Sequence, residues 1–154
     1  MKHIQIYSPQ DQAAIKQFII HILQEFDFHY DPANDYDLDD LAGYYARDKA
    51  VLYVLKEQEQ IIGTVAVRNK EHGVAEIKRL FLHKSYRGQG WGSRLLDLAL
   101  DFCLRAGYTK VILDTERRLQ RSQELYLSRN FVITAIIGDT IYMSKDLRTS
   151  SCGD

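Results

Sequence analysis

Hydrophobic residues in the first third of the chain recur at the spacing of one strand and two helices. Residues 3–8, "HIQIYS", alternate as a short strand does, and Ser8-Pro9 follows as an N-cap with proline in the first helical turn. Apolar residues then recur at intervals of three and four, which predicts a helix to about Phe28. These residues are Ile15, Phe18, Ile19, Ile22, Leu23 and Phe26. A polar loop and a second short helix over about 38–47 should follow, the helix burying Leu41, Tyr44 and Tyr45.

The middle of the chain is rich in β-forming residues. Residues 50–69 contain two apolar runs separated by the polar "KEQEQ", which predicts a hairpin. Residues 73–83, "GVAEIKRLFLH", predict a third antiparallel strand. After a glycine-rich segment, an amphipathic helix is expected to end at Gly107, a residue suited to a left-handed C-cap.

The last third of the chain predicts a strand, a helix and a closing hairpin. Residues 110–115, "KVILDT", form a nearly continuous apolar run, typical of a strand buried on both faces. Residues 120–130 predict a helix that Asn130 ends in the left-handed conformation. The runs 131–137 and 140–146, with "GD" between them, predict the hairpin. The order β-α-α-β-β-β-α-β-α-β-β predicts one mixed α/β domain over 1–147, with 148–154 as a flexible tail.

Composition narrows the class of protein. A chain of 154 residues with 45% hydrophobic content fits one globular domain. It has no apolar run near the roughly 20 residues that cross a bilayer, and its start lacks a secretory signal, so we expect a cytoplasmic protein without a membrane partner. A net charge of -1 gives no general attraction to nucleic acid. Cys103 and Cys152 lack metal-ligand spacing, as do His29 and Asp31, so no metal site is expected.

The segment "SYRGQGWGSRLL", residues 85–96, places three glycines at alternate positions between a strand and a helix. A helix N-terminus leaves about four backbone N–H groups free and carries the positive end of the helix dipole. Gly88, Gly90 and Gly92 would permit positive φ angles and a close ligand approach, and Arg87 would add a cation at the mouth. The segment therefore predicts a phosphate or pyrophosphate site.

Two common phosphate-binding motifs fit this segment poorly. A Walker A loop needs Lys-Ser/Thr after its last glycine, whereas Gly92 is followed by Ser93-Arg94. A dinucleotide fingerprint needs GxGxxG, whereas the spacing here is GxGxG. The other alternative is a turn that only connects strand and helix, but three alternating glycines are more than such a turn needs.

The motif Arg87-x-x-Gly90-x-Gly92, between a strand and a helix, resembles the acetyl-CoA-binding motif of the GCN5-related N-acetyltransferase (GNAT) family. Residues 124–131, "ELYLSRNF", are similar to the family's later "LY…GF" segment, and the element order is that of the family over nearly the whole chain. The resemblance implies an acyl-CoA N-acyltransferase fold, two splayed central parallel strands at 76–82 and 110–115, and acetyl-CoA as cosubstrate. The pyrophosphate would rest on the backbone of Arg87, Gly88, Gln89, Gly90, Trp91, Gly92 and Ser93.

The resemblance also implies catalytic roles. Phe81 and Leu82 would lie against the thioester, with the Leu82 N–H polarising its carbonyl. Tyr126 would protonate the departing sulfur, unless it is only a core aromatic residue. Glu76 would take the amine proton, unless it lies on a solvated strand face or pairs with Lys78 or Arg79.

Further cofactor contacts are implied where the chain departs from the family pattern. Leu119 stands where relatives often carry an Asn, and Ser122 is expected to substitute for that contact. Within the basic run 116–121, Arg117 or Arg118 would meet the 3′-phosphate, unless the run is only a solvated helix start.

The acceptor implied is a primary amine of a small molecule or peptide, acetylated by direct attack in a ternary complex. Aspartates between the first two helices would attract a cationic acceptor, or else only solubilise the loop and cap the second helix. They are Asp27, Asp31, Asp35, Asp37, Asp39 and Asp40. A non-catalytic acyl-CoA-binding domain and a protein acetyltransferase are the alternatives. The closing hairpin offers an edge strand for a homodimer.

Overall fold

The fold is a seven-stranded mixed sheet with helices on both faces. The computed structural model describes residues 1–147, so the predicted tail lies outside the described residues. The strands are β1 (Lys2–Ile6), β2 (Val51–Glu57), β3 (Gln60–Asn69), β4 (Val74–Leu82), β5 (Lys110–Glu116), β6 (Val132–Ile137) and β7 (Thr140–Asp146). The helices are α1 (Gln12–Glu25), α2 (Leu41–Tyr45), α3 (Trp91–Arg105) and α4 (Gln120–Ser128), with 3-10 turns at Pro9–Asp11, Tyr36–Asp39 and Lys84–Tyr86. The predicted order of elements is confirmed.

Helix α1 ends three residues earlier than predicted. Asp27 adopts a φ of 63° directly after the helix, and the Phe28 N–H donates to the Leu23 carbonyl at 2.8 Å. This is a Schellman motif, in which a left-handed residue satisfies the last carbonyls and turns the chain away. At the other end of the helix, the predicted N-cap Ser8 makes no side-chain capping hydrogen bond.

The second helix is also shorter than predicted. Its N-cap is Asp40, whose carboxylate accepts from the Gly43 N–H at 3.0 Å. Leu41 and Tyr45 are buried as expected. Tyr44 is only half-buried, because it packs edge-on against the exposed Tyr36, 5.1 Å away.

The strand order is β1-β2-β3-β4-β5-β7-β6, and β4 and β5 form the parallel pair. Their register contains only three residue pairs and ends at Glu76 and Ile112, although β4 continues to Leu82 and β5 to Glu116. The two central strands therefore splay apart, as the family resemblance implies.

Strand β5 is buried on one face, not on both as its apolar run predicts. Val111, Leu113 and Thr115 are buried against the core beneath α3 and α4, whereas Asp114 is exposed. Beyond Ile112 the opposite face of β5 borders an open cleft, which explains the acidic residues at alternate positions.

Strand β4 contains a β-bulge at Arg79, whose φ is 58°. The Thr64 hydroxyl donates to the Arg79 carbonyl at 2.7 Å and fixes the irregular turn of the strand. Before the bulge, Ile77 packs in the core beneath α3 and α4. Beyond the bulge, Leu80 and Leu82 face that same core, whereas Phe81 faces the core on the other side of the sheet, beneath α1. The extra residue thus sets which side chains of β4 face each layer.

Among residues 1–147, no helix is both long and apolar enough to cross a membrane.

Candidate active site

Two clefts meet where β4 and β5 splay apart. The first, about 650 Å³, lies between the glycine-rich loop, the end of α1 and the start of α4. The second, about 670 Å³, lies between β4, β5, β7 and the loop after α1. Leu80, Phe81, Leu119 and Ser122 line both clefts. Ligands in the two clefts can therefore touch at this junction.

The glycine-rich loop forms one wall of the first cleft. Gly88 and Gly90 have φ angles of 78° and 91°, and Gly90 is the N-cap of α3. Gly92 does not have a positive φ and lies in the first turn of α3. A Cβ at Gly92 would make only an ordinary contact with the Leu125 side chain, at 3.7 Å, so the packing of the protein does not require glycine at this position in the cleft wall.

Most of the predicted cradle lines this cleft, namely Arg87, Gly88, Gly90, Gly92 and Ser93. The side chains of Gln89 and Trp91 turn elsewhere. Gln89 donates to the Ser85 carbonyl at 3.3 Å, and Trp91 packs under the Arg94 guanidinium at 4.4 Å. Neither residue is among those that line the first cleft, although both were predicted to hold the pyrophosphate.

The Arg87 side chain is not the free cation that the sequence predicts. Its guanidinium binds the Glu25 carboxylate through two hydrogen bonds, of 2.5 and 2.9 Å. Its Nε also donates to the Leu82 carbonyl at 2.9 Å. Hydrogen bonding from Arg87 lowers the pKa of Glu25. Arg87 therefore fastens the end of α1 to the loop, and its charge is largely neutralised.

Other cations supply the positive charge of the first cleft. Lys84, Arg118 and Arg121 line it, and none of them has a carboxylate within ion-pair distance among the described residues. Arg118 donates to the Phe26 carbonyl at 2.6 Å. Arg117 instead bonds the Gly138 carbonyl, away from the cleft. Sequence reasoning missed Lys84 and Arg121, although Arg121 follows Arg118 at helical spacing.

The Leu82 N–H faces the gap between the splayed strands. The next residue, His83, donates its N–H to the Ile62 carbonyl of β3 at 2.8 Å. Successive residues of a strand direct their backbone groups to opposite sides, so Leu82 directs its own toward β5. The strands no longer pair at this level. This leaves a backbone donor directed at a ligand between the strands.

Tyr126 combines a core ring with a hydroxyl at the second cleft. The residue is 6% exposed, and its ring packs edge-on against Phe131 at 5.7 Å. It lines the second cleft, and within residues 1–147 its hydroxyl has no hydrogen-bond partner. Burial, and then the charge of Asp114, raise the pKa of Tyr126 above the usual range. The hydroxyl therefore keeps its proton.

Glu76 lies at the last paired position of β4 and lines the second cleft. Its side chain is 13% exposed, and Lys70 Nζ lies 3.9 Å from the carboxylate. The alternative partner Arg79 is bound elsewhere, to Asp35 and Asp37. Glu76 is thus a largely buried carboxylate facing the cleft with one weak partner.

A buried ion pair holds the acidic loop against β4. The Arg79 guanidinium binds Asp37 at 2.6 and 3.1 Å and Asp35 at 3.0 Å, and the Tyr45 hydroxyl donates to Asp37 at 2.6 Å. Burial alone would raise the pKa of Asp37, but the hydrogen bonds from Arg79 and Tyr45 hold it below the usual range. These two aspartates are structural.

Of the other aspartates in this loop, some bind neighbouring groups of the protein and one lines the second cleft. Asp39 binds Lys16 and the Tyr30 hydroxyl, and Asp40 caps α2. Asp31 lines the second cleft. Of the predicted cluster, only Asp40 caps the second helix, whereas Asp35, Asp37 and Asp39 bind side chains of the protein, a role that neither predicted alternative described.

The second cleft is acidic for a reason that the sequence prediction missed. Its carboxylates are Asp31, Asp35, Glu76, Asp114 and Glu116, and its cations are Lys78 and Arg79. Asp114 and Glu116 come from β5, whose expected burial hid them, although their alternation was the available signal. Among the described residues, no group of three or more His, Cys, Asp or Glu side chains is placed to hold a metal ion.

The sheet with its splayed central pair has the acyl-CoA N-acyltransferase fold. The chain belongs to the acetyltransferase (GNAT) family, whose sequence profile matches residues 16–131. A GNAT acetyltransferase of Staphylococcus aureus Mu50 superposes with a TM-score of 0.87 at 20% identity, over 96% of this chain and 100% of that one. The PaiA N-acetyltransferase of Thermoplasma acidophilum, solved with coenzyme A, gives a TM-score of 0.80 at 16% identity, over 95% and 99%.

Two curated relatives are longer proteins, of which this chain matches only a part. N-acetylaspartate synthetase of Xenopus tropicalis is 27% identical over 71% of this chain and 41% of its own length. N-acetyltransferase 8F1 of Rattus norvegicus is 30% identical over 62% of this chain and 45% of its own. The chain thus spans less than half the length of these two relatives.

Proposed function

We propose that the protein is an acetyl-CoA-dependent N-acetyltransferase that acetylates a primary amine of a small molecule or peptide in a ternary complex. The junction of the two clefts at Phe81 and Ser122 carries this proposal, because it lets a thioester from one side meet an amine from the other. The coenzyme A bound to the Thermoplasma acidophilum neighbour supports the choice of cosubstrate.

The first cleft fits coenzyme A. The bare backbone at Gly92 leaves room for a pyrophosphate, and the free N–H groups at the start of α3 suit its charge. Lys84, Arg118 and Arg121 would hold the phosphates in place of Arg87. The unpaired edge of β4 would bind the pantetheine arm, with the Leu82 N–H donating to the thioester carbonyl. When bound, the cosubstrate supplies an activated acetyl group.

Glu76 and Tyr126 carry the two proton transfers in this proposal. The Glu76 carboxylate takes a proton from the acceptor nitrogen, which forms its bond to the acetyl carbon. The carbon–sulfur bond then breaks, and the Tyr126 hydroxyl gives its proton to the sulfur. The raised pKa of Tyr126 keeps that proton available at neutral pH.

The charge of the second cleft favours a cationic acceptor. Arg79 is neutralised by Asp35 and Asp37, which leaves Lys78 against four carboxylates. An anionic amine such as aspartate, the acceptor that the name of the Xenopus tropicalis relative indicates, would be repelled.

Replacing Glu76 by glutamine tests the transfer chemistry. We expect coenzyme A release with an amine panel to fall about 10²- to 10⁴-fold at neutral pH, because the base is lost. The affinity for acetyl-CoA should not change. Glu124→Gln is the control, since Glu124 is exposed on α4 and lines neither cleft. A Glu76→Gln enzyme with the wild-type rate and pH profile excludes Glu76 as the base, and absence of release by the wild type favours a binding domain.

We also propose that β6 pairs with the same strand of a second copy. It is an outer strand of the sheet, it contains neither charge nor proline, and Val132 and Ile137 are 59% and 66% exposed. Edge strands have unpaired backbone N–H and C=O groups, and proteins normally use charges, proline or a covering element to stop them from pairing with another chain. Strand β6 has neither charge nor proline, so it is free to pair with a second copy.

Sedimentation velocity checks this pairing. We expect the wild type to be a dimer and Ile136→Lys to be a monomer, because a charge on an edge strand opposes pairing and each copy would contribute a like charge to the joined strands. Ile6→Lys on β1, the opposite edge strand, is the matched control and should remain dimeric, since Ile6 is 62% exposed there. Equal sedimentation of both variants and the wild type would contradict the pairing.

A further inference from the structure

We propose that the acceptor carries a second positive charge besides the amine that is acetylated, and that Asp114 on β5 binds this second charge. The inference rests on the proposed function, because it assigns the reacting amine to Glu76 and Tyr126.

Three carboxylates form a row along the floor of the second cleft. Glu76 is level with Ile112 in the β4–β5 register, and Asp114 and Glu116 follow on the same face of β5. Two residues of a strand span about 7 Å, so Asp114 lies about 7 Å beyond the level of Glu76. Because Glu76 and Asp114 are on neighbouring strands about 5 Å apart, their backbones are separated by about 8 Å or more, and side chains reaching into the cleft from both can contact the two ends of a four-carbon diamine.

Besides Glu76, which is assigned to the reacting amine, Asp114 is the carboxylate of this row that is available to a ligand. It has no hydrogen bond or ion pair within residues 1–147, whereas Glu116 accepts from the Thr140 hydroxyl at 2.9 Å. Asp35, also in this cleft, is bound to Arg79. The negative charge of Asp114 therefore has no ion-pair partner among residues 1–147.

Two tyrosines in the same cleft point independently to a ligand. Tyr126 is 94% buried, yet its hydroxyl lacks a partner in the described part of the chain and lines the cleft. Tyr142 pairs directly with Asp114 in the β5–β7 register, lines the cleft and is 38% exposed. A carboxylate beside an accessible aromatic ring is a favourable site for an ammonium group. The cleft thus offers one place for the reacting end of an acceptor and another for a distant cation.

A series of acceptors of similar size tests whether the cleft recognises a second positive charge or only the amine that is acetylated. The probes are 1,4-diaminobutane, 4-aminobutan-1-ol and 4-aminobutanoate, which share one amine and differ at the far end. We expect kcat/KM for coenzyme A release to fall in that order, with the diamine preferred over the amino alcohol by about tenfold to a hundredfold, the worth of one charge-assisted contact. An amino alcohol used as well as the diamine would overturn the inference.

Asp114→Asn assigns the preference to a residue. We expect the diamine-to-alcohol ratio to fall close to one in this variant and to persist in Asp101→Asn, which removes the same charge from the exposed side of α3. A ratio unchanged in Asp114→Asn would overturn the inference.

Calorimetric titration of 1,4-diaminobutane into the protein with saturating coenzyme A gives a readout that does not need turnover. Binding that weakens at least tenfold in Asp114→Asn supports the second-charge site. The same binding without coenzyme A release from acetyl-CoA would support that site and contradict the transferase proposal. Failure of the diamine to bind the wild type would overturn the inference alone if other amines are acetylated.

Discussion

Tyr126→Phe is expected to lower kcat about 10²- to 10⁴-fold while leaving the thermal unfolding midpoint unchanged. The rate falls because the sulfur loses its proton donor. The stability is retained because the hydroxyl makes no hydrogen bond within residues 1–147, so the phenyl ring fills the same space without breaking one. Steady-state kinetics with a fixed amine acceptor and differential scanning calorimetry measure the two effects.

Tyr53→Phe is the matched control, because Tyr53 is a buried tyrosine of the same core cluster and lines neither cleft. It should retain the wild-type rate. If Tyr126→Phe retains that rate as well, the acid must be another group or water, and Tyr126 is only a core aromatic residue.

The pH profile provides a second check on Tyr126. Its raised pKa should keep the alkaline limb of kcat above the ordinary tyrosine value of about 10. Asp114 contributes to this shift by disfavouring the tyrosinate, so Asp114→Asn should move the limb to lower pH. A limb that does not respond to Asp114→Asn would separate the titration from Tyr126.

Gly90→Val should weaken coenzyme A binding by about tenfold to a hundredfold, the worth of one charge-assisted hydrogen bond. Gly90 has a φ of 91°, which a β-branched residue tolerates poorly, and nothing lies within 4 Å of an added Cβ. The effect therefore comes from a shift of the loop backbone, which removes N–H groups from the pyrophosphate. Calorimetric titration with coenzyme A measures it.

Gly107→Val is a close control for that change. Gly107 has a φ of 89°, also with nothing within 4 Å of an added Cβ, but it lies at the opposite end of α3. Both variants should lose about 1–2 kcal/mol of stability, and only Gly90→Val should lose affinity. Equal affinities would show that the loop backbone does not bind the cofactor. If the valine variants do not fold, the milder alanine pair gives the same comparison.

The element order was predictable because each element has its own local signal. Periodic apolar residues define α1 and α3, and Gly107 and Asn130 have the left-handed φ angles that end a helix. The glycine-rich loop could likewise be located from residues 87–92, because its glycines and the start of α3 are adjacent in the sequence.

What the sequence did not indicate depends on pairings between distant residues. Arg87 is neutralised by Glu25, which lies 62 positions away, and Arg79 binds Asp35 and Asp37 across more than 40 positions. Neither partner has a local signal. The burial of β5 was predicted wrongly because its apolar run does not show that β4 diverges from it.

The left-handed Arg79 has a consequence for changing the acceptor by engineering. Its guanidinium anchors the loop at Asp35 and Asp37, and its bulge places Phe81 and Leu82 on their proper faces. A graft that exchanges residues 28–34 keeps this anchor, whereas one that extends through 37 leaves a buried arginine unpaired and destabilises the strand that carries Phe81 and Leu82. The loop therefore has a natural boundary at Asp35 for transplanting new specificities.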